Sequence, residues 1–201
     1  MTDFAVATED ALSEAVAITL LRQVGGHAVH TCLRQAGYGY LKGRIASFNQ
    51  IARNVRPVLL ITDLDRWSCP PGLIADWLPA GPSPRLLFRV AVRETESWLL
   101  SDREAFADFL GISVAKVPKR PEDLNDPKAA LLQLVRKSKR RDIKQDLLPV
   151  SGISSPIGLG YNDRLVQFVS DPWDCHRAAQ ISDSLARAVK SLAGFNQVSA
   201  P

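Results

Sequence analysis

The sequence predicts an α/β fold built on a mostly parallel sheet with helices on its faces. In residues 1–111, apolar segments with strand character alternate four times with amphipathic segments of helical period, the pattern typical of βα units. The third strand-like segment is apolar on both faces, as in a sheet covered by helices on both sides. We therefore predict a sheet domain over residues 1–111 and a mainly helical extension over 112–201, packed on it.

In the first two units we predict a strand at 3–8, a helix at 9–24, a second strand at 27–35, a loop at 37–43 and a second helix at 44–55. The first strand is an apolar run that stops at Glu9. The apolar residues after it recur at helical spacing, and Gly25 and Gly26 end that helix. The second strand shows alternation, and the second helix is amphipathic.

In the next two units we predict a strand at 56–65, a helix at 70–79, a strand at 84–94 and a helix at 95–111. The first of these strands is apolar without interruption from Val58 to Ile61. Pro70 and Pro71 suit the start of the following helix, and Gly111 suits the end of the last one.

The extension begins with a proline-rich, irregular segment. It then contains a basic helix at 126–149, a glycine-rich loop that leads into a helix at 150–165, and a final amphipathic helix at 174–192. Asp126 is the expected N-cap of the basic helix and Pro127 its first residue.

Composition indicates a cytoplasmic protein that spans no membrane. The chain is 46% hydrophobic and 23% charged, which is ordinary for a soluble globular protein. Its three cysteines form no CxxC motif and suit a reducing compartment. We see no signal peptide and no apolar run of the length that a membrane span needs. The net charge of +4 gives weak support to an anionic partner.

Acidic residues follow three of the four predicted strands. Glu9 follows the first strand, Asp63 and Asp65 the third, and Glu94 and Glu96 the fourth. Because the carboxyl ends of parallel strands meet at one edge of a sheet, we expect these side chains to lie close together. Like charges at one edge repel unless a cation joins them, and Mg²⁺ and Mn²⁺ prefer oxygen ligands. In the alternative interpretation, Asp63 caps the helix that follows it and Asp65 is solvated.

The segments VATEDALSE and ITDLD resemble the glutamate and D-x-D motifs of the toprim domain. That domain occurs in topoisomerases, DnaG-type primases and overcoming-lysogenization-defect nucleases, and the resemblance covers about residues 3–110. The order EDALSE, LITDLD, VAVRETESWLLSD, DPKAALL, YNDRL, FV is also similar to small bacterial toprim-like proteins, which are often encoded beside ATPases in defence-type loci. This second resemblance covers nearly the whole chain.

The resemblance implies roles for the acidic residues. Glu9 would act as a general acid or base or help to bind metal, and Asp63 and Asp65 would coordinate Mg²⁺ or Mn²⁺. Glu94 and Glu96 are where we place the further ligands that nuclease branches use for a second metal ion. The sequence departs from the family pattern immediately after the first glutamate, where many toprim domains have glycine and this chain has an aspartate.

The function implied is a metal-dependent nuclease, or a related phosphoryl-transfer enzyme, that acts on DNA or RNA. Phage defence with a separate ATPase as partner is the implied setting. One alternative is a non-catalytic module that keeps the toprim shape and docks an ATPase or a nucleic acid. Another is a phosphohydrolase that uses the same acids on a small molecule.

Further features each have a functional and a structural interpretation. Lys128 is either a cation that contacts phosphate in the site or a solvated lysine at a helix start. The basic run 136–141 either follows a phosphate backbone or is a solvated helix face. The G-x-G at 158–160 favours a structural turn over a phosphate loop. We interpret all four tryptophans as core or partner contacts rather than base-stacking platforms: Trp67, Trp77, Trp98 and Trp173.

Overall fold

The protein has an α/β fold with a four-stranded sheet in the order β2–β1–β3–β4. The computed structural model describes residues 1–34, 39–150, 152 and 154–198. All three strand pairings are parallel, which confirms the predicted class. The strands are β1 (Asp3–Ala7), β2 (Ala28–Cys32), β3 (Val58–Asp63) and β4 (Leu86–Ala91).

Helices flank the sheet and form most of the second half of the chain. Within the described residues they are α1 (Ala11–Gly25), α2 (Tyr40–Asn54), α3 (Pro70–Trp77), α4 (Thr95–Ser101), α5 (Arg103–Leu110), α6 (Pro127–Arg136), α7 (Arg141–Leu147), α8 (Tyr161–Ser170), α9 (Cys175–Ala178) and α10 (Asp183–Val198). Short 3₁₀ helices span Val114–Lys116 and Pro121–Asp123. None of the described helices combines the length and the apolar character needed to cross a bilayer.

Alternation along the strands divides the interior into two hydrophobic layers. In β3, Leu59 and Ile61 join the layer that contains α1 and the C-terminal helices, whereas Val58 and Leu60 join the layer beneath α2 and α3. These four side chains are fully buried. The continuous apolar run of this strand therefore reflects a sheet covered on both faces.

Helices of the second half of the chain pack against α1. Helices α8 and α10 lie against α1, and the Gln23 amide in α1 donates to the Trp173 carbonyl at 2.9 Å and accepts from the Cys175 amide at 2.8 Å. The Trp173 indole donates to the Trp98 carbonyl at 3.2 Å. Residues before and after position 111 thus share one hydrophobic core.

The helix predicted over 95–111 is wrong as a single element, because the chain breaks at Asp102. The carboxylate of Asp102 is buried and accepts from the Asp174 amide at 2.8 Å and from two guanidinium nitrogens of Arg177 at 2.8 and 3.0 Å. These contacts attach the α4–α5 junction to α9. Helical periodicity continues across the break in the sequence, so the pattern alone does not reveal it.

Other boundaries also differ from prediction. The segments predicted as helices at 126–149 and 174–192 are each divided, into α6 and α7 and into α9 and α10. Helix α2 begins at Tyr40, inside the predicted loop 37–43. Residues 35–38, which include the end of the predicted second strand and the start of that loop, lie outside the described part of the chain.

A prediction for stability concerns Glu122, whose carboxylate caps the start of α10. It accepts from the Asp183 amide at 3.1 Å and from both the amide and hydroxyl of Ser184, at 2.9 and 2.6 Å. Glu122→Ala leaves these donors without their acceptor and is expected to lower the free energy of unfolding by about 1–3 kcal/mol. Urea denaturation followed by tryptophan fluorescence measures it. Glu104→Ala, at an exposed position on α5, is the control, and equal stability of the two variants would contradict the prediction.

Candidate active site at the carboxyl edge of the sheet

The candidate site lies where the strand order reverses. From β1 the sheet extends to β2 on one side and to β3 on the other. Open parallel sheets bind ligands in the crevice outside the carboxyl ends of strands at such a switch point. Glu9 follows β1, Asp63 ends β3 and Asp65 lies two residues further on. All three line one cavity of about 180 Å³, so the structure brings these predicted residues together.

Asp63 is fixed by the helix that follows β4. Its Oδ1 accepts from the backbone amide and the hydroxyl of Thr95, both at 2.8 Å. Thr95 is the first residue of α4, so the idea that Asp63 caps the next helix in the chain is wrong, since α3 has no side-chain cap. Burial, and then the negative charge of Glu96, raise the pKa of Asp63 well above its usual range although Thr95 opposes the shift.

Glu9 and Asp65 interact electrostatically across the crevice. Burial raises the pKa of Glu9, and the carboxylates of Asp65 and Asp10 raise it further. Asp65 is exposed and has a left-handed backbone with φ of 50°. Asp10, which stands where many toprim domains have glycine, accepts from the Ser13 amide at 2.7 Å and caps α1. Asp10 therefore has a local structural role at the start of α1.

Glu94, Glu96 and Lys128 form a second group of charged residues in the candidate site. The Lys128 backbone amide donates to Glu94 at 2.9 Å, and its ammonium lies 3.3 Å from Oε1 of Glu96. Burial acts to lower the pKa of Lys128, but Glu96 and Glu94 outweigh it and the pKa is raised. Lys128 is therefore a cation beside the acids rather than an isolated surface lysine. Burial also raises the pKa of Glu94.

Tyr161 contacts this second group of residues and was not among the predicted site residues. Its hydroxyl donates to Oε1 of Glu96 at 2.9 Å, and both side chains are buried. Burial, and then the charge of Glu96, raise the pKa of Tyr161 far above its usual value, so the phenol keeps its proton. The segment YNDRL contributed to the family resemblance, but nothing in it marks the tyrosine as the partner of a carboxylate 65 residues away.

The carboxylate oxygens of the site are the ligand type that a hard divalent cation prefers. The described side chains are not, however, arranged around a common point as metal ligands would be. Within the described residues, no three or more His, Cys, Asp or Glu side chains are arranged to bind a metal ion. Burial, together with neighbouring carboxylates, nevertheless raises the pKa of Glu9 and of Asp63, as expected where oxygen donors are crowded. The Thr8 hydroxyl beside Glu9 is buried and has no hydrogen-bond partner in the described part of the chain. The ligand set of five carboxylates thus stays a prediction.

The glycines at 158 and 160 have a structural role. A Cβ at Gly158 would collide with the carbonyl oxygen of Asp146, and one at Gly160 would lie 2.8 Å from the Asp146 Cβ. Both backbone amides donate to carbonyls at the end of α7, at 3.0 Å. Close packing against α7 accounts for this motif without a phosphate.

The basic run 136–141 forms the exposed connection between α6 and α7. Its one buried member, Ser138, donates to the Leu110 carbonyl at 2.5 Å. The run is therefore a solvated surface that is anchored at its centre, and a contact with nucleic acid stays a prediction.

No family model, no curated protein and no solved structure matches this chain significantly.

A second prediction follows from the raised pKa of Asp63. A carboxyl whose pKa is higher in the folded state destabilises the protein once it is ionised, above the folded pKa, and this cost disappears on acidification. Asp63→Asn keeps an acceptor for Thr95 and removes the charge. It is expected to raise the free energy of unfolding at pH 7 by about 0.5–2 kcal/mol, with a gain that shrinks as the pH falls through the folded pKa.

Urea unfolding between pH 4 and 8 tests this, with the exposed Asp3→Asn as the matched change of charge. A gain for Asp63→Asn that does not depend on pH, or no gain at all, would show that the carboxylate is not under electrostatic stress.

Proposed function

We propose that the protein is a Mg²⁺- or Mn²⁺-dependent nuclease, or a related phosphoryl-transfer enzyme, that acts on nucleic acid. The observation that carries the proposal is the meeting of Glu9, Asp63 and Asp65 in one crevice at the switch point of the sheet. An acidic crevice with a lysine beside it suits a phosphodiester that is joined to the carboxylates by divalent cations.

Glu9, Asp63 and Asp65 are the residues that would hold the cation, with Glu94 and Glu96 as the further ligands. When bound, the cation would neutralise charge on the phosphate and lower the pKa of a coordinated water. The chain's own groups act beside it. Glu9, whose pKa is raised by burial and by the charges of Asp65 and Asp10, is the group suited to proton transfer.

Lys128 is the group suited to contact a phosphate oxygen. Its position is set by the carboxylate of Glu96, which is itself fixed by Tyr161. A cation placed before the reaction stabilises the charge that develops on a phosphate in the transition state. Glu96 is therefore a positioning residue for Lys128 in addition to its predicted role as a ligand.

The biological setting rests on the resemblance to small bacterial toprim-like proteins. It includes the cytoplasm, a separate ATPase as partner and a role in phage defence.

A non-catalytic binding module is the second candidate. The observation in its favour is that Asp63, Glu94 and Glu96 already bond to groups of the protein, while no three acids of the described part form a ready metal site. Such a module would bind nucleic acid or an ATPase and leave the phosphodiester intact.

A cleavage assay distinguishes the two candidates. Wild-type protein with Mn²⁺ or Mg²⁺ is expected to cut plasmid, single-stranded DNA or RNA, and Asp63→Ala/Asp65→Ala is expected to lower the rate by at least about 100-fold, because two of the three crevice acids are lost. The control Asp3→Ala/Asp171→Ala removes the same charge at exposed positions. Cutting that survives the crevice substitutions would overturn the assignment, and no cutting with either metal would favour the binding module.

Metal binding is tested separately from activity. Saturating Mn²⁺, at about 100 times its dissociation constant, should stabilise the wild-type protein by about 2.7 kcal/mol. The melting temperature should therefore rise for wild type and for Asp3→Ala, but not for Glu9→Ala. Equal shifts for all three proteins would place the ion elsewhere.

A further inference from the structure

Trp67 differs from the other tryptophans of the chain in its exposure. Trp98 and Trp173 are fully buried, with 0% and 1% of their surface exposed, as expected for core residues. Trp77 packs on Phe88 with a ring-centroid distance of 5.4 Å. Trp67 is 39% exposed, which does not fit the interpretation of this tryptophan as a core residue. An indole at this level of exposure beside an acidic crevice can contact a ligand.

Backbone hydrogen bonds fix the loop that carries Trp67. Within the loop, the Trp67 amide donates to the Leu64 carbonyl at 3.0 Å. The guanidinium of Arg93 donates to the Trp67 carbonyl at 2.9 Å, and the amides of Leu64 and Asp65 each donate to the Arg93 carbonyl at 3.0 Å. The indole is thus presented from a loop that is tied to the segment after β4, so little ordering is required when a ligand binds.

Trp67 forms a wall between two cavities. Together with Asp65 it lines both the crevice that contains Glu9 and Asp63 and a second cavity of about 630 Å³. The volume of the second cavity lies in the range of small-molecule sites, roughly 300–1,000 Å³. A group that occupies it against the indole is therefore adjacent to the carboxylates of the candidate active site.

Three acids, Asp65, Glu94 and Asp126, and two arginines, Arg66 and Arg93, line the second cavity, and Arg66 is the cation available to an anion there. Arg66 lines this cavity, is exposed, and has no hydrogen-bond or ion-pair partner among the residues that the structure describes. Two of the acids are engaged, because Glu94 and Asp126 accept from the backbone amides of Lys128 and Ala129 at 2.9 and 2.7 Å. A cation could stack on Trp67, but it would meet Arg66 and Arg93, which line the same cavity.

We propose that the substrate strand is unpaired at this site, with one nucleobase stacked on Trp67 and an adjoining phosphate bound by Arg66. The proposal rests on the proposed function and names its substrate class. Stacking on an aromatic side chain needs a free base face, which unpaired nucleotides offer and a duplex interior does not. Arg66 provides the phosphate contact that accompanies stacking in sites for single strands.

The test measures binding without metal, so that cleavage does not interfere. Labelled single strands of roughly 12 nucleotides, one oligothymidylate and one oligouridylate, and a DNA duplex of equal length are titrated by fluorescence anisotropy in EDTA. Wild type is expected to prefer at least one single strand to the duplex. Trp67→Ala should weaken that binding about 5- to 150-fold, the equivalent of one stacked base, and Trp67→Phe should retain most of it.

Arg66→Ala is expected to weaken binding and to reduce the slope of log affinity against log salt by about one phosphate contact. The control Arg44→Ala, at an exposed position on α2, should change neither. Melting temperatures equal to that of wild type show that each variant is folded.

Different results would overturn the stacking site and the proposed nuclease function. Equal affinity of Trp67→Ala and wild type, or a wild-type preference for the duplex, overturns the stacking site and leaves the proposed nuclease standing if the cleavage assay is positive. Absence of binding to all three nucleic acids, together with absence of cleavage, overturns the proposed function itself.

Discussion

The buried carboxylate of Glu96 is the group on which the arrangement of the site depends. It is 3% exposed, and an ionised carboxylate at such a position is costly unless it is paired and hydrogen-bonded. The compensating groups are the ammonium of Lys128 on α6 and the hydroxyl of Tyr161 on α8. One charge on α4 therefore joins the sheet domain to two helices of the extension. Lys128 and Tyr161, both beyond position 111, are therefore part of the site.

The same helix α4 determines the position of the β3 acid. Thr95, next to Glu96, donates twice to Asp63, and Glu94 on its other side accepts from the start of α6. Three consecutive residues thus contact three different parts of the site. The arrangement places negative charge where burial opposes it, as the raised pKa values of Glu9, Asp63 and Glu94 show. Several carboxylates with perturbed pKa values in one place are typical of functional sites, where groups needed for activity often lower the stability of the fold.

The sequence allowed prediction of the strands, their parallel class and the edge to which Glu9 and Asp63 belong. These features follow from local rules, namely the period of apolar residues and the shared direction of parallel strands. It did not reveal the strand order, the helix break at Asp102 or the contact of Tyr161 with Glu96. Each of these depends on pairing between distant residues, such as Asp102 with Arg177, for which periodicity contains no information. The exposure of Trp67 was unpredictable for the same reason.

The backbone at Asp65 connects the binding surface to the acidic crevice. A non-glycine residue in the left-handed region costs roughly 1–2 kcal/mol, and aspartate is among the residues that tolerate it best. Here the conformation is supported from both sides, because the Asp65 amide donates to the Arg93 carbonyl at 3.0 Å and the Arg93 guanidinium lies 3.4 Å from the Asp65 carbonyl. Arg93 also binds the Trp67 carbonyl. The loops after β3 and β4 are therefore joined by hydrogen bonds, so a base stacked on the indole would contact the same loop that brings Asp65 to the cavity lined by Glu9.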